Sequence, residues 1–126
     1  MGVRSAKELT VYKKAYELAM RIFEITKRFP KDEQYALTRQ IRRSSRSVSM
    51  CLHESWSKRR YPAHFVSKLT DCDGENSETD TSLDFAKDCG SITDAEHQEL
   101  ADQCSEVGKM LGSMIDNPNP FLTPDP

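Results

Sequence analysis

No apolar stretch in this 126-residue chain approaches the roughly 20 residues that a membrane span requires. Met1 runs directly into charged residues with no apolar leader, and Ala6 stands where an N-myristoylation motif after Gly2 needs Ser or Thr. The expected location is therefore the cytoplasm. Cysteine numbers only four, at Cys51, Cys72, Cys89 and Cys104, with no Cys-x-x-Cys and no His at a zinc-ligand spacing from a pair. Each is read as a small buried hydrophobe in a reducing compartment. No Gly-rich phosphate loop and no nucleophile elbow is present, which removes the commonest phosphoryl- and acyl-transfer scaffolds.

Metal chemistry lacks its motifs too. Asp71 and Asp73 open like a calcium loop, but Gly74 falls at the fourth loop position and Ser82 occupies the twelfth, where Glu is needed. His53-Glu54 begins like a zincin motif, yet Ser57 replaces the second His. Di-iron bundles carry Glu-x-x-His on two helices, and this chain has no such pair. His53, His64 and His97 belong to separate helical segments and are read as surface or interface residues. The expectation is a protein that is not an enzyme, with no cofactor, no metal and no small-molecule substrate.

Basic residues are scarce in the second half. Residues 1–68 hold 16 of the 18 Lys and Arg against 6 of the 20 Asp and Glu, while residues 69–126 hold the other 2 and 14. The overall balance is only −2, with a pI of about 5.9, so the two halves oppose each other. Such a split must be neutralised within one chain, between chains, or by a charged partner.

Four helical patterns fill the chain, and no sustained period-two alternation competes with them. The first runs from about Ser5 to Phe29, with Ser5 and Glu8 spaced as a capping box and an apolar stripe of Leu9, Tyr12, Tyr16, Ala19, Ile22 and Phe23. Pro30 stops it. The second spans about Lys31 to Lys58, with Leu37, Ile41, Ser44, Ser45, Val48, Leu52 and Ser55 on one face. The third starts near Pro62 and carries Phe65, Leu69, Cys72, Asn76, Thr79, Leu83 and Ala86 toward Cys89 and Gly90. Its stripe weakens at Asp71–Asn76. The fourth is capped by Thr93 and Glu96 and runs through Leu100, Cys104, Val107, Leu111 and Met114 to Ile115. Long helices with short breaks predict an all-α, antiparallel up-down-up-down four-helix bundle over residues 1–116. Residues 117–126 are a Pro-rich tail, extended and mobile, on which Phe121 and Leu122 offer docking side chains.

The chemistry-bearing set is basic. Arg39, Arg42, Arg43 and Arg46 fall within an arc of about 100° opposite Ile41, given 3.6 residues per turn. Lys58, Arg59 and Arg60 follow at the turn into the third helix. Guanidinium forks suit phosphate oxygens, so these seven residues are the candidate RNA or DNA contacts. The competing reading pairs them with the acidic half. Trp56, Tyr61 and Tyr35 lie nearby, the first two read mainly as packing residues.

The segments Leu9-Thr10-Val11-Tyr12-Lys13-Lys14-Ala15-Tyr16, Phe29-Pro30 and Leu37-Thr38-Arg39-Gln40-Ile41-Arg42-Arg43-Ser44-Ser45-Arg46-Ser47-Val48 closely resemble a bacterial family. These are the proteins encoded in intervening sequences of 23S ribosomal RNA genes. The similarity continues through Glu54, Trp56, Phe65, Leu69, Glu78, Leu83, Cys89-Gly90 and Gly108-x-x-Leu111. It implies an antiparallel four-helix bundle, commonly a homopentameric ring. It also implies kinship with accessory proteins of diversity-generating retroelements, basic pentamers that associate with nucleic acid and a reverse transcriptase. After Val48 the family pattern Pro-x-Asn-[Ile/Leu]-x-Glu-Gly is replaced by Ser49-Met50-Cys51-Leu52-His53-Glu54-Ser55, of which only Leu52 and Glu54 match. The partners implied are further copies of the chain, and RNA or DNA.

Overall fold

The computed structural model describes residues 3–123. It contains four helices: α1 (Thr10–Thr26), α2 (Leu37–Ser57), α3 (Pro62–Asp88) and α4 (Asp94–Asp116). No strand occurs among the described residues. Helix α1 packs on α2 and α4, and α3 packs on α2 and α4, so the helices stand at the corners of a square in chain order. The all-α, up-down-up-down bundle read from the sequence is the fold observed.

Helix ends follow local chemistry. Thr93 Oγ1 accepts from the Glu96 backbone N–H at 3.1 Å while Glu96 accepts from the Thr93 N–H at 2.9 Å, a reciprocal capping box. Pro62 occupies the first turn of α3, where its missing N–H costs nothing. Gly90, at φ +78°, ends α3 in the left-handed region, and the Ser91 and Ile92 N–H groups return to the Ala86 carbonyl.

The starts of α1 and α2 differ from the sequence reading. Ser5 caps a single 3-10 turn at Ala6–Glu8, and Glu8 accepts from the Arg4 backbone instead of completing a reciprocal box. Residues Lys31–Glu33 form another 3-10 turn, and α2 begins only at Leu37. The tail also departs from a wholly extended segment. Asn119–Phe121 makes a short turn that brings Phe121 and Leu122 against the core, while residues 124–126 lie outside those described.

The core has two apolar halves. One gathers Ala15, Val48, Leu52, Trp56, Phe65, Leu69, Val107 and Leu111; the other gathers Leu18, Ile22, Ile25, Ile41, Leu83 and Leu100. A polar belt lies between them. Ser44 Oγ and Thr79 Oγ1 meet at 2.8 Å across α2–α3, and Asn76 Nδ2 donates to the Cys104 carbonyl at 2.9 Å across α3–α4. Buried Asn76 explains the weak stripe at Asp71–Asn76: the helix is continuous, and its polar core residue is satisfied by a neighbour. Gly108 makes room for it, since a Cβ there would meet Asn76 Nδ2 at 3.2 Å.

Cys72 and Cys104 are buried as expected, but Cys51 is half-buried and Cys89 is exposed at the end of α3. The reading of all four as buried hydrophobes fails for Cys89 because it caps the helix instead of facing its core stripe.

Candidate interaction face

The apolar stripe of α1 is rotated from its sequence reading. The helix buries Val11, Ala15, Leu18, Ala19, Ile22 and Ile25, while Tyr16 is exposed and Tyr12 and Phe23 are only half-buried. Helix α1 thus carries two adjacent apolar stripes, and the bundle uses one. A helix apolar over a wider arc than its core needs presents the excess to another surface. Met20 of α1 and Met50 of α2 add to this outer stripe, flanking a groove of about 310 Å³ lined also by Tyr12, Tyr16, Ala19, Arg46 and Ser49.

The four arginines of α2 line one groove but meet different partners. Arg43 turns toward α3, where its Nη1 meets Glu75 at 3.1 Å and its Nη2 meets Glu78 at 2.7 Å. The Glu78 hydrogen bond, with the nearby Glu75 charge, pushes the Arg43 pKa further up. Arg42 turns the other way. Its Nε donates to Thr26 Oγ1 at 2.7 Å, and its guanidinium carbon lies 4.9 Å from the Phe23 ring centre. The Arg46 guanidinium carbon lies 5.6 Å from the same ring centre. Among the described residues, Arg39, Arg42 and Arg46 have no carboxylate partner. Together with Arg43, Tyr35 and Met50 they line a shallow groove of about 720 Å³ that shares Arg46 and Met50 with the first.

Lys58, Arg59 and Arg60 stand apart from this groove. Lys58 lies twelve positions beyond Arg46, a rise of roughly 18 Å along a helix. Arg59 stacks on Trp56 at 3.6 Å and donates to the Trp56 carbonyl, so both serve packing; burial lowers the Arg59 pKa from its ordinary value. Trp56 is buried as expected. Tyr61 is instead exposed beside His64, because it precedes α3 instead of lying in its stripe.

Elsewhere the charge split is neutralised internally. Lys14, Arg21 and Arg28 of α1 and its following turn meet Glu106, Glu99 and Glu96 of α4. Lys68 meets Glu54 at 3.0 Å and Asp71 at 3.6 Å. On the far side, a groove between α3 and α4 is lined by Asp73 and Asp80, with Asn76 and Cys104 at its base and Lys109 at its edge. Neither aspartate has an ion-pair partner among the described residues.

Among the described residues no three His, Cys, Asp or Glu side chains gather as a potential metal site. Burial pushes the Cys72 thiol up and takes the Cys104 thiol up to about 12, far from thiolate chemistry at neutral pH. No helix of the described residues is long and apolar enough to cross a membrane.

These features define an antiparallel four-helix bundle with one outer face that is both basic and apolar-edged. A family model described as 23S rRNA-intervening sequence protein matches residues 7–113, and the chain belongs to that family. Among solved structures it is similar to a protein with unknown function from the S23 ribosomal protein family of Bacteroides thetaiotaomicron. The two are 25% identical, the match covers 85% of this chain and 96% of that one, and the TM-score is 0.76. No curated protein matches the chain.

Proposed function

We propose that this protein is a non-catalytic, self-associating bundle, in which the basic α1–α2 face of one copy meets the acidic α3–α4 side of the next. The observation that carries the reading is the imbalance left after internal pairing. Arg39, Arg42 and Arg46 lack carboxylate partners on one side, while Asp73 and Asp80 lack cationic partners on the opposite side. Unlike surfaces on opposite sides make a heterologous contact, which closes into a ring when the rotation permits. The family resemblance favours five copies. Light scattering across a concentration series tests it: the expected mass is a multiple of 14.4 kDa consistent with a pentamer, and a stable single-chain mass overturns it.

A second reading assigns the same arginines to nucleic acid. Arg42 favours it, because Thr26 and Phe23 hold that guanidinium in place without neutralising it. Filter binding of structured RNA at low salt then gives an affinity that falls steeply with salt and with the pair Arg42→Glu and Arg46→Glu. Absence of binding at low salt removes this reading. The acidic pI and the uncompensated acidic side favour self-association.

A further inference from the structure

The large apolar side chains exposed on this bundle are unevenly placed. Among the described residues Val3, Tyr16, Met20, Tyr35, Met50 and Tyr61 all lie in the basic half. The acidic half exposes one, Phe85, with 60% of its surface open to solvent. Phe, Met and Arg are enriched at protein interfaces relative to the rest of the surface.

Phe85 projects from the outer face of α3. Thr81 lies one turn before it on that face and Asp88 one turn after, both exposed. Asp88 has no cationic partner among the described residues. The complementary surface exists on the same molecule. The groove between α1 and α2 has apolar walls in Tyr16, Met20 and Met50, a small-residue floor in Ala19 and Ser49, and Arg46 at its rim. Its volume of about 310 Å³ admits an aromatic ring. Methionine walls adapt to an inserted ring and make favourable sulfur–aromatic contacts.

We propose that Phe85 of one copy seats between Met20 and Met50 of the next, with Asp88 beside Arg46. This rests on the self-association reading and moves its contact around α3, from the Asp73–Asp80 groove to the outer face that carries Phe85 and Asp88. The two surfaces belong to different sides of the square: α1 and α2 form one edge, and the outer face of α3 points away from that edge. One copy therefore cannot fill its own groove, and a second copy must supply the ring.

Two single substitutions at exposed positions test the pairing. Phe85→Asp removes the knob and keeps the groove; Met50→Asp spoils the groove and keeps the knob. Each purified variant, with wild-type helicity by circular dichroism, is expected to run as a 14.4 kDa monomer in light scattering. Mixed in equal amounts at high concentration, the two are expected to form a dimer and nothing larger, because one intact contact remains between them. Where either aspartate variant fails to fold, Phe85→Ala and Met50→Ala provide the same comparison.

A wild-type assembly whose mass is unchanged by Phe85→Asp overturns the Phe85 pairing while leaving self-association standing. So does a mixture that stays monomeric. A wild-type chain that is itself monomeric overturns both readings. If that monomer gains mass only on adding an RNA oligonucleotide, the groove belongs to a polyanion instead.

Discussion

The seams between α1 and α4 and between α2 and α3 treat charge differently from the face between α1 and α2. Along the seams, basic and acidic side chains from opposite halves of the sequence meet: Lys14 with Glu106, Arg21 with Glu99, Arg28 with Glu96, and Arg43 with Glu75 and Glu78. On the α1–α2 face, Arg39, Arg42 and Arg46 line a groove with Met50, Arg46 also lines one with Met20, and none of the three meets a carboxylate among the described residues. One charge split therefore has two uses. Part of it matches neighbouring helices within the bundle, and the remainder is displayed. Exposed pairs add little to stability, so their value in the seams lies more in excluding wrong helix pairings than in energy.

This contrast separates variants that affect folding from variants that affect association. The largest expected loss of folding stability is in the buried polar belt of the core. Asn76→Ala removes the buried link to the Cys104 carbonyl and should cost about 1–3 kcal/mol in denaturant unfolding. Arg43→Ala breaks two exposed pairs and should cost no more than about 1 kcal/mol, with the assembled mass unchanged at assay concentrations. Arg39→Ala touches neither core nor ion pair and should stay within about 0.5 kcal/mol of wild type. A loss well above about 0.5 kcal/mol for Arg39→Ala would break the contrast.

Acid sharpens it from another side. The hydrogen bond from Arg28, reinforced by the Thr93 backbone N–H, holds the Glu96 carboxyl down at about 2 from its ordinary 4.5. A depressed carboxylate stabilises the fold fully above its unfolded pKa, and that contribution is lost as pH falls through the folded one. Stability should therefore decline between about pH 4.5 and 2, and Glu96→Gln should flatten that limb in acid titrations followed by circular dichroism. An unchanged limb in the variant would place the acid sensitivity elsewhere.

Much of the fold was legible from residues with one strong local meaning. Thr93 with Glu96, Pro62 and Gly90 each mark a helix boundary through their own backbone chemistry, and each stands where the sequence placed it. Helix α1 was legible only in part. Tyr12, Tyr16 and Phe23 form as good a period as Val11, Ala15, Leu18 and Ile22, and only packing decides which stripe is inside. The signal of an outer stripe was present in the two interleaved periods. Helical angle alone put Arg39, Arg42, Arg43 and Arg46 on one solvent face. It could not show that Arg43 reaches toward α3 and Arg42 toward α1, because long side chains choose partners from neighbouring helices. Met20 and Met50 were missed for the opposite reason: methionine on a helix reads as core until its exposure is known.

On the proposed reading, the unpaired α1–α2 arginines serve association and not folding. Native mass measurement of wild type beside the double variant Arg39→Glu and Arg46→Glu tests it most directly. Wild type is expected to run as an assembly, and the double variant as a fully helical 14.4 kDa monomer. The same assembled mass for both chains would contradict that reading.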